Sequence, residues 1–274
     1  MNPFRISEHL EVRDDAPFFF IGGPCVIESN DHIDLMCGAI KEICSPLGIP
    51  YVFKSSFDKA NRSSMHSFRG PGPEEGAQML ASLRKRHNVP VLTDIHEPWH
   101  AATFATAVDI LQIPAFLCRQ TDLLVAAGKT GRVVNVKKGQ FMAPWDMKNA
   151  VEKIQSTGDN KILLTERGAS FGYNNLVVDF RSLATWKKWD CGVVFDATHS
   201  VQLPGGEGTH SGGQREFVEP LARAAVAVGV HGIFMEVHDH PERALSDGPN
   251  SVLLQSLPVV LEKLVALDRA VKNL

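Results

Sequence analysis

Eight short apolar runs punctuate the chain: FFFIGG (18–23), PYVFKSS (50–56), VPVLTDI (89–95), DILQIPA (109–115), RVVNVKK (132–138), KILLTER (161–167), CGVVFDATH (191–199) and GIFMEVH (232–238). Each is too short for a helix and lacks the alternation of a strand with one wet face. Near-continuous apolar runs of this kind predict parallel strands buried on both faces. Helical patterns fill the intervals. PGPEEGAQMLASLRKRH (71–87) opens with Pro73 and two glutamates and closes on a basic turn, as the helix dipole favours, with Ala77, Leu80 and Leu83 on one face. After Pro258, a stripe of Val260, Leu264, Leu267 and Val271 predicts a final helix packed along that line.

Eight strand–helix alternations in 274 residues predict an α/β fold, a single-domain (β/α)8 TIM barrel over residues 1–274. An open doubly wound sheet would need a glycine fingerprint at its switch point, and none occurs. Residues 1–15 precede the first strand and are expected to form a short hairpin or cap. Composition changes the picture only by exclusion. A net charge of −3 offers no global field for nucleic acid or a membrane surface, so neither partner is expected, and anionic ligands must be met by local basic clusters. No apolar run reaches the roughly 18 residues a bilayer span needs, and MNPFRISEHLEVRDD lacks the pattern of a leader, so a cytoplasmic location is expected. The five cysteines (25, 37, 44, 118, 191) are odd in number and form no C-x-x-C pair, which fits reduced thiols.

Barrels of this kind carry their chemistry at the C-terminal ends of the strands. Those ends supply Cys25; Lys54, then Lys59, Asn61 and Arg62; Asp94 and His96; Gln112; Lys137 and Lys138; Glu166 and Arg167; Asp196 and His199; Glu236 and His238, with Asp247 in the loop beyond. Any one of these could be an ordinary exposed polar residue, but together they converge on one mouth. Lys54, Lys59, Arg62, Lys137 and Arg167 suit a ligand bearing phosphate or carboxylate groups. Cys25, His199, Glu236 and Asp247 are donors of mixed softness that suit a divalent transition metal, although no local metal motif joins them. On composition alone a free cysteine reads as packing before it reads as a ligand. FRGPGPEEG (68–76) lacks the spacing of a phosphate-binding loop. LPGGEGTHSGGQRE (203–216) is expected to be a lid over the mouth, with His210 solvated. His231, at the other end of its strand, is expected to be structural.

The blocks KSSFDKANRSS (54–64), FRGPG (68–72), TDIHEP (93–98), LQIPAFLCRQTDL (111–123), NVKKGQF (135–141), TERGASFGYNNLVVD (165–179), FDATHS (195–200) and SDGP (246–249) resemble the 3-deoxy-D-manno-octulosonate 8-phosphate synthases from about residue 18 to the end of the chain. The resemblance implies a homotetrameric barrel that joins phosphoenolpyruvate to D-arabinose 5-phosphate for lipopolysaccharide precursor synthesis. A sister family using erythrose 4-phosphate carries a Lys-Pro-Arg-Thr-type motif where this chain has KANRSS, and a non-catalytic sugar-phosphate binder would need no metal set. The resemblance further implies Lys59, Lys137 and Arg167 at phosphoenolpyruvate, with Lys54 and Gln112 close by. It places Asn61, Arg62 and Ser63 at arabinose 5-phosphate and Asp94 near the sugar hydroxyls. It implies Cys25, His199, Glu236 and Asp247 as ligands of one metal ion (Zn, Fe, Mn or Co), the metal-independent branch having asparagine at the position of Cys25. His199, Asp247, Lys59 and Asp94 are the expected catalytic groups.

Overall fold

A strand buried on both faces sends alternate side chains inward and outward, so closing such strands into a barrel sorts them into two cores. The computed structural model, which describes residues 1–62, 64–158, 161–205 and 212–273, shows this sorting. The chain opens with an antiparallel hairpin of β1 (Phe4–Ser7) and β2 (Leu10–Val12). Barrel strands follow as β3 (Phe19–Gly23), β4 (Tyr51–Lys54), β5 (Val91–Asp94), β6 (Ile110–Ile113), β7 (Val133–Lys137) and β8 (Ile162–Glu166). A small ribbon of β9 (Ala169–Ser170) and β10 (Leu176–Val177) precedes β11 (Gly192–Asp196). A second ribbon pairs β12 (Gln202–Leu203) with β13 (Gly212–Gly213), and β14 (Gly232–His238) is extended by β15 (Val252–Leu253). The eight long strands are parallel in chain order, and pairing of β11 with β14 and of β14 with β3 closes the barrel. The eight predicted strands are all present.

Helices α1 (Asn30–Leu47), α2 (Pro73–His87), α3 (Pro98–Ala105), α4 (Thr121–Gly128), α5 (Met147–Gln155), α6 (Arg181–Trp186), α7 (Val218–Val228) and α8 (Leu257–Lys272) form the outer layer. Outward side chains such as Phe20, Phe53, Leu111, Val134, Leu164 and Ile233 pack in one cluster with the helices. Inward side chains Ile21, Val52, Leu92, Ile110, Val133, Leu163, Val194 and Phe234 form a second cluster, closed from below by Ile6, Leu10 and Val12 of the hairpin. The expected N-terminal cap is thus a plug in the barrel floor. His231 helps hold it: Nδ1 accepts from the Val193 N–H at 2.9 Å, and Nε2 lies 3.0 Å from Asp14 Oδ1.

The final helix corrects the predicted stripe. Its buried line runs through Leu257, Leu261, Leu264 and Asp268, leaving Val260 and Leu267 half-buried on the flank. Asp268 sits in that line because it accepts from the Phe18 N–H at 3.3 Å and from Lys272 at 2.9 Å, a polar anchor that a count of apolar positions passes over. Gly23 ends β3 for a steric reason. Its φ is +154° and a Cβ there would lie 2.2 Å from the Lys54 carbonyl oxygen, so only glycine lets the chain turn here into Pro24 and Cys25. No helix among the described residues is long and apolar enough to cross a membrane.

The floor plug is far from the polar mouth. Leu10→Ala should therefore cost about 2–5 kcal/mol in denaturant unfolding, while whatever the mouth does per folded molecule stays at the parent value. A loss of mouth function with full stability would contradict this division.

Candidate active site

Moving two residues along each inward line takes the barrel from oil to charge. Val52 leads to Lys54, Leu92 to Asp94, Ile110 to Gln112, Leu163 to Thr165, Val194 to Asp196 and Phe234 to Glu236; on β7, Val133 leads to Asn135 and then Lys137. All of these polar side chains are buried. Lys138 and Glu166 were grouped with the mouth from sequence, but the pleat turns them outward. Lys138 Nζ is 3.3 Å from Glu166 Oε1, and Glu166 also accepts from Ser182 and from the backbone N–H groups of Arg167 and Gly168. That pair braces the backbone carrying Lys137 and Arg167 from behind.

The lowest polar layer is a hydrogen-bonded chain. Thr165 Oγ1 donates to Asn135 Oδ1 at 2.7 Å, and Asn135 Nδ2 donates to Gln112 Oε1 at 2.8 Å. Gln112 Nε2 and Ser56 Oγ then both donate to Asp94. Burial works against ionisation of Asp94, but Lys54, Lys59, His96 and Lys137 outweigh it and hold the carboxyl well below the usual range. Sequence reasoning missed Asn135 and Ser56. The signal for Asn135 was present, two residues before Lys137 on the same strand and so on the same face.

Above this layer Lys137 Nζ lies 2.5 Å from Asp196 Oδ2 and 3.9 Å from the centre of the Phe234 ring. Burial pulls its pKa below the ordinary lysine value, with Asp196 opposing. Asp196 also faces His199 Nδ1 at 2.8 Å and accepts from the His199 N–H. Burial opposes its charge too, yet His199 and Lys137 keep it ionised far below the usual range. With Nδ1 held by a carboxylate, His199 turns Nε2 toward Glu236 Oε1 at 3.6 Å.

Cys25 is 3 % exposed, with Sγ 2.9 Å from Ser246 Oγ and 3.1 Å from Asp247 Oδ2. Ligand atoms of Cys25, Glu236 and Asp247 all lie within 4.8 Å of one another, and His199 stands beside them. Glu236 Oε1 meets Lys54 Nζ at 3.3 Å, but its Oε2 is buried with no hydrogen-bond partner. A thiol, an imidazole nitrogen oriented by a carboxylate and an unpartnered buried carboxylate oxygen are what a borderline-soft divalent cation needs. Burial, then Asp247 and Glu236, push the Cys25 thiol well above its ordinary value, so binding there would displace its proton. Three of the four expected ligands, Cys25, Glu236 and Asp247, meet in this cluster, and His199 reaches it through Glu236.

These groups open into a cavity of about 1110 Å³ lined by Lys54, Lys59, Asn61, Arg62, Asp94, His96, Gln112, Lys137, Arg167, His199 and Asp247. Buried Arg167 donates through Nη2 to Gln202 Oε1 at 2.7 Å, while its Nη1 has no partner. Gln202 Nε2 reaches Asp247 Oδ1 at 3.3 Å, so one amide links the deepest guanidinium to the metal-type cluster; nothing in the sequence marked it. At the rim Arg62 donates to the carbonyls of Phe68 and Leu245. Ser63 and His210 lie outside the described residues, as do residues 206–211 of the expected lid, whose base is the β12–β13 ribbon. His238, grouped with the mouth from sequence, points away from the cavity toward Glu28.

The DAHP synthetase I family model matches residues 3–273. A 2-dehydro-3-deoxyphosphooctonate aldolase from Cyanothece sp. is 60% identical over 98% of this chain and 99% of its own length. Proteins of the same name from Citrifermentans bemidjiense (61% identical, 96% of this chain and 97% of theirs) and Fusobacterium nucleatum (57% identical, 93% and 92%) also match over nearly their whole length.

The charge balance predicts an acid limit. Burial disfavours ionised Asp247, but Lys59, His199 and the Cys25 contact bring it down to about 2 from 3.8. A carboxyl depressed in the folded state adds stability that is complete above its unfolded pKa and lost as pH falls through the folded one. In metal-free protein the melting temperature should fall between 3.8 and about 2, and Asp247→Asn should flatten that fall. An identical slope in the variant would refute the assignment.

Proposed function

The chain belongs to the DAHP synthetase I family, and from that premise we propose that its mouth condenses phosphoenolpyruvate with D-arabinose 5-phosphate. The products are 3-deoxy-D-manno-octulosonate 8-phosphate and inorganic phosphate, with one water consumed. The observation that carries this reading is the pairing of two cationic zones in one cavity, Lys59, Lys137 and Arg167 inside and Arg62, beside the amide of Asn61, at the rim. Two phosphorylated substrates repel each other, and separate cationic zones hold them at bonding distance despite that.

In this reading Lys137 and the unpartnered Nη1 of Arg167 grip phosphoenolpyruvate, with Lys59 beside them. Asn61, Arg62 and Ser63 receive the sugar phosphate, assisted by a neighbouring subunit in a homotetramer. Asp94, kept ionised and aimed by Ser56 and Gln112, accepts from a sugar hydroxyl. Lys54 donates to the Cys25 carbonyl at 2.9 Å and to Glu236, which leaves its third N–H for phosphoenolpyruvate. Gln112, held by Asp94 and Asn135, keeps a second amide N–H at the cavity wall for the same substrate.

The methylene carbon of the enol phosphate attacks the aldehyde carbon, whose oxygen takes up a proton. Positive charge developing at the enol carbon is met by water, which adds there and loses a proton. The resulting phosphohemiketal expels phosphate by C–O cleavage. Cys25, His199, Glu236 and Asp247 would hold one divalent transition metal, which when bound supplies Lewis acidity to the aldehyde oxygen or the water. The Asp196–His199–Lys137 cluster holds the nearest movable protons, and His199 and Asp247 assist proton transfer from where they stand.

Phosphate release from phosphoenolpyruvate should be fast with arabinose 5-phosphate and slow with erythrose 4-phosphate; the reverse preference would select the sister activity, and release with neither would leave only a binder. Lys137→Ala and Arg167→Ala should each lower kcat/KM for phosphoenolpyruvate by about 10- to 100-fold, as loss of a charged hydrogen bond implies. Chelation should abolish turnover and Zn, Fe, Mn or Co should restore it. Cys25→Asn should bind metal less tightly than the parent, and equal affinity would remove Cys25 from the ligand set.

A further inference from the structure

Behind one wall of the cavity lies a second group of titratable side chains that the proposed reaction does not use. Glu28 follows Cys25 by three residues, just ahead of α1. Its Oε1 accepts from the Leu245 N–H at 2.9 Å and faces His238 Nε2 at 3.2 Å. The His240 N–H donates to His238 Nδ1 at 2.9 Å, and Asp239 Oδ1 lies 3.0 Å from the same nitrogen, so the ring is held from both sides with Nε2 facing Glu28. Glu28, His32 and His238 are also close enough to hold a cation, an alternative that the zinc stoichiometry below decides. His32 packs against His238 with ring centres 4.6 Å apart and planes tilted by 43°, and its Nε2 lies 3.0 Å from Asp239 Oδ1.

What this group holds is Leu245, and Leu245 touches both halves of the site. Its N–H is taken by Glu28, and its carbonyl accepts from Arg62 Nη2 at 2.9 Å. The next two residues meet Cys25, Ser246 through Oγ at 2.9 Å and Asp247 through Oδ2 at 3.1 Å. Asp247 itself adopts the left-handed conformation with φ +50°, so its direction depends on how the preceding residues are pinned.

We propose that Glu28 is a positioning residue: by fixing Leu245 it places the rim guanidinium of Arg62 and the Cys25–Asp247 pair in one adjustment. This rests on the preceding assignment of Arg62 to the sugar phosphate and of Cys25 and Asp247 to a metal. The carboxylate acts as an acceptor, so an amide oxygen can replace it, and a methyl group cannot.

The test compares Glu28→Ala and Glu28→Gln with the parent by thermal melting, by zinc titration of the metal-free proteins, and by separate KM and kcat measurements for each substrate. Glu28→Ala should weaken zinc binding by about 10- to 100-fold, as loss of an outer partner does. It should raise KM for arabinose 5-phosphate about tenfold, leave KM for phosphoenolpyruvate within about twofold, and melt near the parent. Glu28→Gln should recover most of both losses. Parent values for both quantities in Glu28→Ala, or a Glu28→Gln as impaired as the alanine variant, overturn the proposal. So does a parent that binds two zinc ions and loses one on His32→Ala. If Glu28→Ala does not fold, His238→Ala removes only the ring that orients Glu28; a smaller shift in both quantities supports the proposal, and parent values overturn it. A parent that releases no phosphate defeats the functional reading alone, because the zinc titration still reports on Glu28. A parent that binds no zinc defeats the metal assignment alone, because KM for the sugar still reports on it.

Discussion

A charge taken out of water needs a partner, and that constraint organises the whole mouth of this barrel. Leaving one buried ion unpaired costs several kcal/mol, yet Lys54, Lys137 and Arg167 are all essentially hidden from solvent. Each basic side chain is matched: Lys137 with Asp196 at 2.5 Å, Lys54 with Glu236 at 3.3 Å, and Arg167 through Gln202 with Asp247. Among the described residues, two of these charged groups, of opposite sign, keep a buried atom without a hydrogen-bond partner, Arg167 Nη1 and Glu236 Oε2. Those two atoms are where the proposed chemistry brings an anion and a cation.

The hydrophobic floor matters to this electrostatics. Phe234 lies under Lys137, and the inward apolar layer with its hairpin plug excludes water from below. Low polarisability beneath the charged layer strengthens every contact above it. The chain from Thr165 to Asp94 separates the two regimes, satisfying amides that would otherwise be stranded between oil and charge.

Much of this was legible in the sequence, because near-continuous apolar runs too short for a helix recur eight times along the chain. The eight runs are all strands, and the strand-end rule puts Cys25, Glu236 and Asp247 in one cluster with His199 beside Glu236. What stayed hidden has common causes. Parity had to be applied residue by residue to send Lys138 and Glu166 outward. The roles of Glu28, Gln202 and His238 depend on partners some 35 to 217 positions away, which no local pattern encodes. The buried line of α8 was misplaced because an anchored aspartate occupies a core position. The resemblance to a known family supplied the individual roles, and burial, hydrogen bonds and unpartnered atoms supplied physical reasons for them.

The hairpin plug has a consequence for how the molecule comes together in time. β1 and β2 precede every barrel strand, yet their inward residues pack against side chains drawn from Phe19 through to Phe234. Their binding surface does not exist until the last strand has closed the ring. Docking of the hairpin is therefore expected to complete the barrel after its ring has closed. Contacts formed after the main folding barrier act on the unfolding rate and hardly on the folding rate. On that expectation the plug is a latch, setting how long the barrel stays shut.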